Sequence, residues 1–204
     1  MAPLEWKTMI TRPRESVTTG LEALPRWRID TQRYLRMVEA GVLGPEDRVE
    51  LIEGTIVPMS PAGPKHNHVV MRFTELFAPA MPRIKVSVQG TLVLAEGQVF
   101  DPDFMLLRAR EGGYKDALPT AADVLLIVEA ADTSLARDRQ VKLPLYAAAG
   151  IAEYWIADLE RDALIVHREP DGQGYGQVRT YRGDEAVSPL ALPEMSVRAG
   201  EVFA

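Results

Sequence analysis

Three acidic residues of this chain stand against apolar runs, where a carboxylate is costly. Glu50 opens the run VELI, Asp103 follows Pro102 and leads into FMLL, and Glu129 closes VLLIV. Carboxylates at the edge of a hydrophobic sheet need a compensating positive charge. A hard divalent cation, Mg²⁺ or Mn²⁺, meets that need: it takes oxygen ligands, commonly one or two carboxylates plus water. It can also polarise a phosphoryl oxygen and generate hydroxide near neutral pH. For any one of these acids taken singly, the competing reading is an ion pair with an arginine or a helix cap.

Lys142 favours the chemical reading. On a helix, Val141, Leu145 and Ala148 form an apolar stripe, and Lys142 and Asp138 lie one turn apart on its border. Lys142 can therefore bend towards the protein. Its plain alternative is an exposed pair with Asp138, worth only about 0.2–0.5 kcal/mol. Pro144 is anomalous inside a helix, where it removes a hydrogen bond, so the helix either begins late or kinks near Lys142. His66 precedes Val69 and Val70 by a helical turn, near an inward face. It could position a water or touch a phosphate, or be a satisfied structural histidine. His68 and His167 receive no role, and Tyr146, Tyr154 and Trp155 read as core aromatics.

These residues need elements to hold them. Residues 1–24 lack clean periodicity and are expected to form an irregular arm ahead of a single domain over 25–204. Asp30 or Thr31 can cap a first helix that Gly41 closes. VELIEGTIVPMS reads as a hairpin or bent strand. A second helix is expected over about 65 to 80, with Val69, Phe73, Leu76, Phe77 and Ala80 on one face. Ile84, Val86 and Val88 alternate as a strand, with TLVLAEG as its continuation or hairpin partner. DFMLL is a short strand, and DVLLIVEA a strand covered on both faces. A third helix near 137 to 149 ends at Gly150. AEYWIAD and ALIVHRE are strands, and GQVRTYR and SVRAGEVFA late edge strands. The sum is an α/β fold with a mixed sheet.

Bulk composition narrows the function classes. The 204 residues carry 47% hydrophobic and 25% charged side chains, an ordinary globular balance. With no cysteine, disulfides and thiolate metal sites are excluded. The net charge of −6 argues against coating nucleic acid through a broad basic surface. No apolar run reaches the roughly 18–20 residues that span a bilayer, and the start lacks a signal-peptide core. A cytoplasmic, membrane-free protein is expected.

Five stretches, in order, carry a resemblance: VELIEGTIVPMSP, PKHNHVV, DPDFML, LLIVEAADTS and RDRQVKLPLYAAAGIAEYWIAD. Together they resemble the Uma-two family, a branch of the PD-(D/E)xK nuclease superfamily, from about residue 30 to the C-terminus. The last stretch is the most specific. The resemblance implies a restriction endonuclease-like fold, a mixed central β-sheet flanked by helices. It matches Pro102-Asp103 to the superfamily's "PD" and Glu129 to its second acidic ligand. The usual lysine two residues further on is replaced by Ala131, and Lys142 on the following helix takes its place. Glu50 matches an additional acidic ligand or water positioner, with Glu53 beside it. His66 and Asp138 fall in matching stretches at second rank. EAADTS replaces a frequent Ser-Pro-Ser segment.

The implied activity is endonucleolytic hydrolysis of nucleic-acid phosphodiester bonds, with DNA the expected substrate. Asp103, Glu129 and Glu50 would hold Mg²⁺ or Mn²⁺, and a homodimer is expected by analogy with nucleases that cut both strands. Three rivals stand beside it. These are a silent nuclease-fold binding module, a metal-dependent hydrolase of a small phosphorylated substrate, and a structural partner pairing through edge strands.

Overall fold

The computed structural model describes residues 25–132 and 134–204, so the expected arm over 1–24 lies outside the described residues. Asp30 caps helix α1 (Thr31–Glu39), its carboxylate accepting the Arg33 N–H at 2.7 Å. Strands β1 (Val49–Ile52) and β2 (Thr55–Pro58) form a hairpin, with Ile52 opposite Thr55. Both turn residues, Glu53 and Gly54, have positive φ, at 47° and 71°. That combination matches the right-handed twist of the strands, so the bent-strand option gives way to a tight turn. Helix α2 (Pro64–Phe77) buries Val69, Val70, Phe73 and Phe77 along one stripe.

Strand β3 (Ile84–Val88) ends at Gln89, whose φ of 49° turns the chain out of the sheet. The segment TLVLAEG is consequently neither a continuation nor a partner of β3. It forms β4 (Leu92–Ala95), which pairs with β5 (Gln98–Phe100), and β5 pairs with β1. These strands make a four-stranded sheet in the order β2-β1-β5-β4.

The larger sheet has six strands in the order β10-β9-β8-β7-β6-β3. It contains β6 (Phe104–Arg108), β7 (Val124–Ala131), β8 (Glu153–Asp158), β9 (Ala163–Pro170) and β10 (Tyr175–Arg182). All neighbours are antiparallel except β7 and β8. A parallel pair requires a crossover rather than a hairpin. Here the crossover is helical: α3 (Leu135–Arg137), a π-helical turn (Asp138–Lys142) and α4 (Leu143–Ala148).

Strand periodicity then sorts the core into two layers. Phe104, Leu106, Leu126 and Val128 face α2 on one side of the large sheet. Met105, Leu107, Ile127 and Tyr154 face the opposite way, against Ile52, Leu92 and Phe100 of the small sheet and Tyr146 of α4. Leu51 points outward to Tyr34 and Val99, which seats α1 on the outer face.

SVRAGEVFA was expected to be an edge strand. Only Val197–Arg198 is extended (β12), paired with the two-residue β11 (Ala186–Val187), and a ladder that short has nothing further to propagate along. Ala199–Phe203 is a helix, α5, burying Ala199 and Val202. Among the described residues, no helix is long and apolar enough to cross a membrane.

Candidate active site

The period-2 rule that sorts the core also aims the acids. On β7, Glu129 shares a face with Ile127; on β1, Glu50 shares a face with Ile52. Both therefore point into the space between the two sheets, Glu129 from the large one and Glu50 from the small one. Asp103 lies just before β6, opposite Glu129, and its backbone N–H donates to Glu129 Oε2 at 3.4 Å. Glu50, Glu129 and Asp103 are 1%, 3% and 8% exposed.

Lys142 enters the same space from the crossover. Its ammonium donates to Glu50 Oε1 and to Glu129 Oε1, each at 2.9 Å. The exposed pairing of Lys142 with Asp138 is not what forms. In the π-helical turn, the Leu143 N–H bonds to the Asp138 carbonyl five residues back, and Lys142 and Asp138 are both buried. Pro144, without an N–H, follows directly and cannot sustain the ordinary ladder. The widened turn directs both side chains inward. Asp138 accepts the Ser134 hydroxyl at 2.7 Å, and Lys142 serves the two glutamates instead.

His66 reaches Asp103 from α2. Its Nε2 lies 2.8 Å from Asp103 Oδ1, while the Ala130 N–H donates to Asp103 Oδ2 at 2.9 Å. Glu53 is not part of the cluster. It sits exposed at the hairpin turn, where its carbonyl accepts a hydrogen bond from Arg28. Sequence reasoning assigned Tyr146 to the core alone, yet its hydroxyl donates to Glu129 Oε1 at 3.0 Å. Tyr146 follows Lys142 by one helical turn, and that spacing is the signal that could have found it. Arg48, Asp132 and Arg137 line the mouth of the cleft.

Burial dominates the electrostatics. It pushes the Glu129 carboxyl well above its ordinary range, with Lys142 opposing and Asp103 and Asp138 adding to the rise. Burial likewise raises Asp138, against Lys142 and the Ser134 hydrogen bond. Burial works against the Lys142 ammonium, but Glu129, Glu50 and Asp138 outweigh it and hold the charge firmly. Asp103 is also pushed up by burial; the His66 hydrogen bond and charge, with the Ala130 N–H, reverse this and leave it below the ordinary range. The Asp103 hydrogen bond raises His66 above its usual value. The pair is thus an imidazolium facing a carboxylate over weakly acidic conditions.

The chain is thus a mixed α/β protein with helices on its sheet faces and buried acids where its two sheets meet. A solved structure of the same fold is a putative nuclease belonging to DUF820 from Anabaena variabilis ATCC 29413. It matches with a TM-score of 0.68 at 15% identity, over 86% of this chain and 97% of that one. Residues 31–200 match the family described as "Uma2: Putative restriction endonuclease". The chain belongs to the Uma2 family, which covers every residue of the buried cluster. No significant match was found among curated protein sequences.

Proposed function

We propose that the chain is a divalent-metal-dependent endonuclease that hydrolyses phosphodiester bonds, with DNA as substrate, and that Asp103, Glu129, Glu50 and Lys142 form its centre. One observation carries the reading: four residues far apart in sequence meet, nearly sealed from solvent, with Lys142 shared between Glu50 and Glu129. A fold gains little from placing that many charges together, because desolvation opposes their attraction. Perturbed ionisable groups gathered in a cleft are a signature of chemistry.

The donor set fits a hard divalent ion. All candidate ligands are carboxylates, and with Asp132 and Asp138 the five acids lining the cleft outnumber its four cationic side chains, Lys142, His66, Arg48 and Arg137. Among the described residues, no three acidic or histidine side chains already form a metal cage. Asp103, Glu129 and Glu50 are the residues that would hold the ion. When bound, it supplies Lewis-acid polarisation of a phosphoryl oxygen and a nucleophile near neutral pH. The chain's own groups do the positioning. Tyr146 and Lys142 fix Glu129 through one oxygen, leaving Oε2 with only the long Asp103 N–H contact. His66 and the Ala130 N–H lock the rotation of Asp103. The Lys142 ammonium offers a hydrogen-bond donor for charge developing on the phosphoryl group.

Supercoiled plasmid incubated with EDTA, Mg²⁺ or Mn²⁺ tests this. Cleavage should require metal and fall at least about 100-fold in Asp103→Asn and Lys142→Ala, the scale of losing one electrostatic stabiliser. Undiminished cleavage by either folded variant removes that residue from the centre. The expected homodimer is checked on the same preparation by analytical ultracentrifugation.

One observation favours a second reading, a catalytically silent nuclease-fold binding module. Glu50 and Glu129 both accept hydrogen bonds from Lys142, and both Asp103 oxygens are bonded, so each acid of the cluster has a partner as it stands. Calorimetry separates the two: metal binding that Asp103→Asn abolishes supports the enzyme, and no heat at millimolar metal supports the module.

A further inference from the structure

Beside the acidic cleft lies a second, larger concavity that the proposed chemistry does not use. It has a volume of about 650 Å³ and runs between α1, the start of β1 and the turn after β3. Leu35, Val38, Met59 and Leu118 form an apolar wall, and Gln89 and Asp101 present polar groups. The volume falls in the roughly 300–1,000 Å³ range of small-molecule sites with apolar walls and few polar groups. Arg48 and Met59 line both this groove and the acidic cleft, so the two are continuous.

Two residues of the groove have unusual backbones. Arg48 has a φ of 37° and Gln89 a φ of 49°, a region that bulky residues seldom occupy. Each is held there by a hydrogen bond. The Arg48 carbonyl accepts the Met59 N–H at 2.9 Å, and the Gln89 N–H donates to the Asp103 carbonyl at 3.2 Å. Gln89 is thereby tied directly to the proposed catalytic aspartate. Strain of this kind concentrates where a side chain must be aimed. Among the described residues, the Arg48 guanidinium has no carboxylate within salt-bridge distance, although it stands beside the most acidic part of the molecule.

We propose that this groove seats the nucleotide next to the scissile phosphate, its base unpaired and set against the Leu35–Met59–Leu118 wall, with Arg48 holding the intervening phosphate. The proposal rests on the nuclease reading of the adjacent cleft and adds a preference to it. Gln89 can offer both a donor and an acceptor to adenine, and the Asp101 carboxylate can accept from the exocyclic amine of cytosine or adenine. An exocyclic amine has two hydrogens and can donate to Gln89 and Asp101 together, whereas thymine has only its single ring N3–H and can serve one of them. The seat is therefore selective for a base with an exocyclic amino group. A nucleic acid fits better than a peptide, because Arg48, which has no carboxylate partner among the described residues, stands where the groove meets the cleft and matches a phosphate there.

The test uses the full chain carrying Asp103→Asn and fluorescein-labelled oligo(dA), oligo(dC) and oligo(dT), read by anisotropy at low salt. The groove variants are Arg48→Gly and Gln89→Gly. Glycine relieves the positive φ, so neither should unfold the protein, and thermal melts confirm that. Arg48→Gly should weaken all three oligonucleotides about tenfold, as for loss of a phosphate contact. Gln89→Gly should erase a preference for dA and dC over dT. Unchanged binding in both variants, or a parent that binds none of the three, overturns the groove assignment. The nuclease reading is scored separately on the wild-type chain with plasmid. Absent cleavage with groove-dependent binding would sink only that reading, and cleavage unaffected by Arg48→Gly and Gln89→Gly would sink only the groove.

Discussion

Lys142 is a buried cation whose two partners are buried anions, and such an arrangement is costly to break from one side. Lys142→Met would strand Glu50 and Glu129 together with no counter-charge, and unmatched buried ions cost about 3–5 kcal/mol. The loss should shrink in acid. Burial already holds Glu129 above its ordinary range, so without Lys142 the folded state takes up a proton more readily than the unfolded chain. Urea unfolding at neutral and mildly acidic pH measures both terms, and a deficit equal at both would contradict this. The His66–Asp103 pair has the opposite profile. The raised His66 contributes stability that is complete below its ordinary value near 6.5 and is lost as pH rises through its folded value. The lowered Asp103 contributes stability present above about 3.8 and lost as pH falls through its folded value. His66→Gln should therefore cost most between roughly pH 4 and 6.5 and progressively less above. Unfolding curves of both proteins across that range decide it. Asp103, Glu129 and Glu50 were legible as buried acids because charges beside apolar strands are anomalous there, and Lys142 because it borders an apolar helical stripe. Tyr146 was read only as core, because its place one turn after Lys142 marks a shared face but does not show whether its hydroxyl has a polar partner.

At the scale of elements, period and punctuation decided what could be read. The helices over residues 31–39 and 64–77 and the hairpin around Glu53-Gly54 follow from capping, stripe and turn chemistry. The crossover did not: Pro144 flagged a break, but a π-helical turn differs from a kink only in which carbonyl the next N–H selects. The strand reading of SVRAGEVFA failed for a related reason. Nine residues with interspersed small apolar side chains suit a strand or a helix equally, and packing of Ala199 and Val202 chose the helix. The hairpin turn supports a stabilising change. Glu53 occupies the first left-handed position of a two-residue turn, a site that asparagine tolerates better. Glu53→Asn should raise stability by about 0.5–1 kcal/mol, visible as a higher melting temperature. No gain would mean that the Arg28 contacts to the turn contribute more than the backbone strain.

For the molecule as a whole, the mixed α/β character was legible and the division into two sheets was not. β4 and β5 are three or four residues long, and what separates them from the large sheet is the pairing of Val99 with Leu51, a contact distant in sequence. Leu94 lies in the layer between the sheets and Leu126 in the layer under α2. Truncating either to alanine should cost about 2–5 kcal/mol in urea unfolding. Only Leu94→Ala should also weaken Mg²⁺ binding by calorimetry, since only that layer separates Glu50 from Glu129. Equal metal affinity in the two variants would show that the interlayer does not set the acid spacing.

The seating of Glu50 and Glu129 on different sheets has a mechanical consequence. No backbone hydrogen bond joins β1 to β7, so the gap between the two anions is an assembly tolerance, set by how two stiff slabs bed down on a film of hydrocarbon. Lys142 acts as the shim. A methylene added to or removed from that film regauges the site without altering any polar atom, so residues that look like ordinary packing set the distance between the two carboxylates.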